Sequence, residues 1–153
     1  MSVTSQAAAP RIARVPPIGQ RLRTERIVVG VDGSPGSGAA VRWATAVACR
    51  RHAALRMVSA WQETDQDRVP GALADLSLTA ASRVQDALDE LFHQLDRPQR
   101  VSCVTLRGVP GKVLVDQAEA AELLVLGGAG TGPGATGTYC IRYARCPVVF
   151  VPA

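Results

Sequence analysis

The sequence predicts an α/β fold, a parallel sheet wound with helices on both faces. Unbroken apolar runs such as Ile27-Val28-Val29 and Leu123-Leu124-Val125-Leu126 suit strands that are buried on both sides. Between such runs lie stretches whose apolar residues recur at three- and four-residue steps, the spacing of an amphipathic helix. The two kinds of segment alternate from Arg26 to Pro152, the order that builds βαβ units. At 153 residues the chain is read as one domain, 25–153, preceded by a tail, 1–24. That length can bury an ordinary core.

Each element has its own warrant. Arg26 to Val31 is β-branched and continuous and forms the first strand. Asp32-Gly33-Ser34-Pro35-Gly36-Ser37 is rich in turn residues. A helix is expected from about Gly38 to His52, capped by Ser37, with Ala40, Trp43, Ala44 and Val47 facing inward. Leu55 to Trp61 reads as the second strand. Gln62 to Gly71, carrying Glu63, Asp65, Asp67 and Pro70, reads as an exposed loop. The longest helix is expected over Leu73 to Leu95, where Leu76, Ala80, Val84, Ala87, Leu88 and Leu91 hold the helical period. Asp96-Arg97-Pro98 stops it. Arg100 to Arg107 is the third strand. Pro110 suits a first helical position and opens a helix carrying Val113, Leu114, Ala118 and Ala121. Leu123 to Leu126 is the fourth strand, and a short helix is expected over Tyr139 to Ala144. Pro147 to Pro152 closes the chain as a fifth strand.

The formal net charge is +4. Arg11, Arg14, Arg21 and Arg23 account for all of it, because no acid precedes Glu25. The remainder nets zero, and no basic stripe interleaved with aromatics marks a nucleic-acid surface. The tail, with Pro10, Pro16 and Pro17, reads as disordered and basic, although its composition overlaps with organelle transit peptides. It has no apolar h-region of a secretory signal. No apolar run approaches the ~20 residues that span a bilayer. The expected location is the cytoplasm, and Cys49, Cys103, Cys140 and Cys146 are expected as reduced thiols packed as small apolar residues.

The chemistry points to Leu123–Thr138. A buried strand there runs into Gly127, Gly128, Gly130, Gly132, Gly134 and Gly137 and then into a helix. Backbone N–H groups converge on an anion in such a loop, because no side chain blocks close approach. In parallel α/β sheets ligands sit beyond the carboxyl ends of strands where the strand order reverses. Asp32 follows the first strand and the glycines follow the fourth, so the two meet at one crevice if those strands are neighbours. Asp32 is then either a ligand contact or a cap of the turn before the first helix.

Ile27-Val28-Val29-Gly30-Val31-Asp32-Gly33-Ser34, followed by an alanine-rich helix with a tryptophan, resembles the opening of universal stress proteins (the UspA-like family). Leu123 to Gly130 resembles the family's fourth strand and loop. Tyr139-Cys140-Ile141-Arg142-Tyr143-Ala144-Arg145-Cys146-Pro147-Val148-Val149 resembles its closing helix and strand. The resemblance implies a five-stranded parallel sheet in order 3-2-1-4-5, open and doubly wound in the manner of adenine-nucleotide α-hydrolase-like proteins. It implies homodimers built on the last strand, here Val148–Val151. A terminal apolar strand also exposes an edge that invites pairing, unless the chain's own tail covers it.

Many members of that family bind ATP through Gly-x2-Gly-x9-Gly-Ser/Thr, and others lack the motif. The resemblance places Gly30, Val31 and Asp32 against the adenosine end, with Asp32 bonding the ribose or base edge, and Ala60 in the adenine slot. Gly127 and Gly130 match the first two motif glycines. The last pair falls on Gly134-Ala135 when counted back from Tyr139, or on Gly137-Thr138 by residue type. The spacer after Gly130 is then three or six residues rather than nine. A shorter loop offers fewer donors to phosphates, and each lost charge-assisted bond costs about 1.5–3 kcal/mol. The expected ligand is therefore ATP or AMP, weakly held, with Mg2+ entering only with the nucleotide and no catalysis. A nucleotide-independent homodimer acting by protein interaction is the alternative.

Competing motifs carry less. Gly132 to Gly137 formally matches G-x-G-x-x-G, but the chain holds no acid about 20 residues on. Gly111-Lys112 is followed by Val113, so there is no Walker A. Neither His52, at a helix end, nor His93, beside Asp89 and Glu90, pairs with a nucleophile. Glu63, Asp65 and Asp67 lack EF-hand spacing, and no C-x-x-C marks a zinc site.

Overall fold

The computed structural model describes residues 9–14, 25–63, 71–93, 97–128 and 132–153. In order the elements are β1 (Arg11–Arg14), β2 (Arg26–Gly30), α1 (Pro35–Arg51), β3 (Ala54–Trp61), α2 (Ala72–Phe92), β4 (Val101–Arg107), α3 (Pro110–Gln117), β5 (Leu123–Gly127), α4 (Gly134–Tyr143) and β6 (Val148–Val151). The sheet runs β1-β6-β5-β2-β3-β4. β2 to β6 pair in parallel, so these five strands have the expected 3-2-1-4-5 order.

The sixth strand corrects the expected count. β1 comes from the stretch that composition assigns to the tail, and it pairs antiparallel along the outer edge of β6. Arg11 stands opposite Phe150, Ile12 opposite Val149 and Arg14 opposite Val148, with a register shift after Ile12. Composition misses it because Arg-Ile-Ala-Arg has one large apolar residue, and Ile12 is itself 67% exposed. The strand is held by its backbone ladder rather than by burial.

Alternation along each strand splits the core in two. Ile27, Val29, Leu55, Met57, Val125 and Val149 face α1 and α2. Val28, Val58, Leu124, Leu126 and Val148 face α3 and α4. Successive strand residues point to opposite faces, so a sheet covered on both sides needs the unbroken apolar runs seen in the sequence. Ile27, Leu55, Met57 and Leu124 are fully buried, each worth about 1.5–3 kcal/mol of transfer free energy.

Two helix starts differ from expectation. α1 begins at Pro35, with Ser34 as its N-cap: the Ser34 Oγ accepts the Ser37 N–H at 3.2 Å. Pro35 fits the first turn, where its missing N–H costs nothing. α4 begins at Gly134 rather than Tyr139. Gly134 and Gly137 of the apparent glycine loop are therefore helical, and Gly137 packs where a Cβ would meet the Phe150 ring at 2.7 Å. His52 ends α1 in the left-handed region, φ 53°, its N–H donating to Ala48 and Cys49 carbonyls. Gly130, Asp65, Asp67, Leu95 and Asp96, with tail residues 1–8 and 15–24, lie outside the described residues.

Candidate functional site

The site is set by β2 and β5. They are hydrogen-bonded neighbours, Ile27 opposite Leu123 and Val29 opposite Val125. β2 leads into α1 on one face, and β5 leads to α4 on the other. The chain therefore parts at their carboxyl ends and leaves a cleft of about 310 Å3. This is the switch point of an open α/β sheet, and the volume lies within the ordinary range for small-molecule sites.

The first wall is the turn after β2. The Val31 N–H donates to Val58 O at 2.8 Å, extending the β2–β3 ladder to the cleft rim. The Ser34 N–H donates to Asp32 Oδ1 at 2.9 Å, and the Ser37 hydroxyl donates to Ser34 O at 3.1 Å. Asp32 thus does cap its turn. A carboxylate accepts at about four positions, so this bond leaves it able to accept from a ligand as well. Partial burial pushes the Asp32 carboxyl up. Hydrogen bonds from the Ser34 side chain and backbone and from Ser37, together with the Arg83 charge, outweigh burial and hold it below its ordinary value.

The second wall is Gly127 at the end of β5 and the first turn of α4, with Gly134, Ala135, Thr136 and Gly137 all lining the cleft. Pro133 precedes the helix without any side-chain cap, so the first N–H groups of α4 are not answered by a capping side chain. Thr138 does not line the cleft: its hydroxyl donates to Gly134 O at 2.7 Å.

The floor is apolar. Val58, Ala60, Leu114, Leu126 and Phe150 line it beneath Gly30. A Cβ on Gly30 would stand 3.0 Å from a Leu126 methyl and 3.3 Å from both Leu114 methyls. The strand end is therefore bare, and the apolar side chains of β5 and α3 reach under it. Seven of the residues singled out in the sequence, Gly30, Val31, Asp32, Ala60, Gly127, Gly134 and Ala135, meet at this one cleft.

Sequence reasoning missed Arg83, Val58, Leu114 and the ring of Phe150, which also line the cleft; Ser34 and Ser37, read as turn and cap residues, line it too. Leu114 and Phe150 were read only as core. Arg83 lies on α2 beside the buried Ala80 and Val84, and periodicity cannot tell which flanking charge turns toward a cleft. Among the described residues, no group of three or more His, Cys, Asp or Glu could hold a metal ion, and Asp32 is the one acid in the lining.

The universal stress protein family profile matches residues 23–152. The chain belongs to the universal stress protein family. This universal stress protein is 32% identical over 131 residues to universal stress protein Rv2623 of Mycobacterium tuberculosis, a match covering 80% of this chain and 43% of the relative. The chain thus spans under half the length of that relative. Among solved structures, UspA from Lactobacillus plantarum superposes with a TM-score of 0.66 at 23% identity, covering 86% of this chain and 99% of that one. An Arabidopsis thaliana family protein with AMP bound gives 0.60 at 14% identity, covering 83% and 90%. A universal stress protein in complex with cAMP gives 0.57 at 24% identity, covering 85% and 98%. Likeness at these identities is a likeness of fold. Among the described residues no helix is long and apolar enough to cross a membrane.

Proposed function

We propose that this universal stress protein is a non-catalytic, cytoplasmic stress-response module that binds an adenine nucleotide, ATP or AMP, weakly in the cleft between Asp32 and α4. The observation that carries the reading is the cleft itself. An apolar floor of Val58, Ala60 and Leu126 faces a polar rim of Asp32, Arg83 and the first turn of α4. The flat apolar base lies on Ala60 and Val58, and Asp32 accepts from the sugar or base edge. Gly127 and the backbone of Gly134 and Ala135 face the phosphates, joined by Gly130 if the family motif applies. Thr138 adds nothing while its hydroxyl is spent on Gly134. Structural neighbours with AMP and cAMP bound support the choice of adenine. Mg2+ accompanies a triphosphate only, since Asp32 alone makes no metal site. Among the described residues lining the cleft Asp32 is the one acid, so no acid pair is at hand to hold a metal and an attacking water, and hydrolysis is not expected.

Calorimetry with ATP and with AMP, each with Mg2+, tests this. Saturable heat that disappears in Asp32→Ala supports the reading, and no heat at millimolar nucleotide overturns it.

A second reading has one observation in its favour. Gly127 and Gly137 are confined to glycine by Gly36 and Phe150, so their presence has a packing cause without any ligand. The protein would then act as a nucleotide-independent homodimer through Val148–Val151. That interface and the β1–β6 pairing use the same backbone edge, so the dimer requires β1 to leave.

A further inference from the structure

Arg83 is the one cation among the described residues lining the cleft, just as Asp32 is the one acid. It does not belong to the elements that build the cleft walls. It comes from α2, which packs on the face of the sheet opposite α3 and α4, and it reaches the rim across Gly33. A Cβ on Gly33 would lie 3.2 Å from Arg83 Cγ and 3.5 Å from both Cδ and Nε. The bare backbone of Gly33, at φ +82°, is thus the track along which the arginine stem runs. Any side chain there would be strained by that φ and would push the stem aside.

The guanidinium at the end of this track has no hydrogen bond or ion pair among the described residues. Asp32 feels its charge without a salt bridge to it. An arginine carries five donors in a planar fork that matches a phosphate group bidentately. A fork with its stem seated over Gly33 and its donors unspent, on the cleft rim, is suited to an anionic group.

We infer that Arg83 is the phosphate-recognising side chain of this cleft and that its presence selects nucleoside monophosphates over the unphosphorylated nucleoside. The inference rests on the nucleotide reading above and deepens it. One guanidinium with one turn of helix backbone is matched to one phosphate group. A triphosphate would bring about four negative charges against a single cation, beside Asp32. The positive charge that the shortened glycine loop does not provide is supplied from the other face of the sheet.

Calorimetric titration of the full chain with AMP, adenosine and ATP tests it, in the natural protein and in Arg83→Ala and Arg83→Lys. The natural protein is expected to bind AMP more tightly than adenosine, and no more weakly than ATP. Arg83→Ala is expected to lose about 10- to 100-fold in AMP affinity, the worth of a charge-assisted pair, with adenosine affinity unchanged. Arg83→Lys keeps the stem over Gly33 and the charge but not the fork, so it is expected to recover part of the loss and controls for folding. The salt dependence of AMP binding should flatten in Arg83→Ala. If the natural protein binds AMP and Arg83→Ala binds it equally well, Arg83 has no such role and the nucleotide reading stands. If the natural protein binds neither AMP nor adenosine, both fall together.

Discussion

Gly127 lies directly against Gly36: a Cβ built on Gly127 would stand 2.2 Å from the Gly36 carbonyl carbon and 2.6 Å from the Ser37 nitrogen. The end of β5 and the start of α1 therefore meet backbone to backbone, without an intervening side chain. That contact brings the two walls of the cleft together, so Gly127, the glycine proposed to face a phosphate, is also a packing residue.

Gly127→Ala should accordingly destabilise the protein whether or not a ligand is present. Neither partner at this contact is a flexible side chain that can turn away. The expected loss is about 1–3 kcal/mol, as for other overpacked sites, read as a lower urea midpoint without nucleotide. An unchanged midpoint would show that the two segments can part at little cost.

Asp32 gives a pH prediction. Its folded value lies below the ordinary 3.8, so its ionised form favours the folded state. That contribution is present above pH 3.8 and is lost as pH falls through the lower folded value. Asp32→Asn should therefore be less stable than the natural protein at pH 7, with the difference closing in acid. A difference that grows toward low pH would contradict the sign.

The cysteines give another. Burial pushes the Cys140 thiol up to about 12, with Cys146 adding to the shift, while Cys103 is exposed and raised by desolvation alone. Thiolate is the reactive form. Cys103 should label first with a thiol reagent at pH 8, and Cys140 only on unfolding. A raised folded value also means that stability is full below the ordinary thiol value of 9.0 and declines as pH climbs toward 12. Cys140→Ala should remove that alkaline decline, at the cost of a small cavity. Rapid native labelling of Cys140 would contradict its placement.

Removing β1 should change assembly. The outer edge of β6 pairs either with Arg11–Arg14 or with another chain, and an uncovered strand edge is a template for pairing. A chain lacking residues 1–14 should show more dimer than the full chain at equal concentration in sedimentation velocity. Equal or lower dimer content would mean that β6 does not self-pair.

Much of the architecture was legible because burial on both faces leaves a plain mark. Ile27-Val28-Val29 and Leu123 to Leu126 could belong only to covered strands, and the order of strands and helices followed from their alternation. What escaped was held by backbone alone or by chain crossing. β1 has almost no apolar signal, because a hydrogen-bond ladder makes no demand on residue type. The first turns of α4 were hidden because glycine ordinarily weakens a helix, whereas here Gly137 is needed beneath Phe150. Within the cleft, Asp32 and Gly127 were found from their places at strand ends. Arg83 was not, since its reach depends on a gap at Gly33, fifty residues away in the sequence.

The antiparallel pairing of Arg11 with Phe150 means that the polypeptide enters and leaves the sheet at one spot, about one strand spacing apart. A few residues joining Ala153 to Ala9 would span that gap. The chain could then be reopened elsewhere, for instance next to Gly71, with every strand keeping its neighbours.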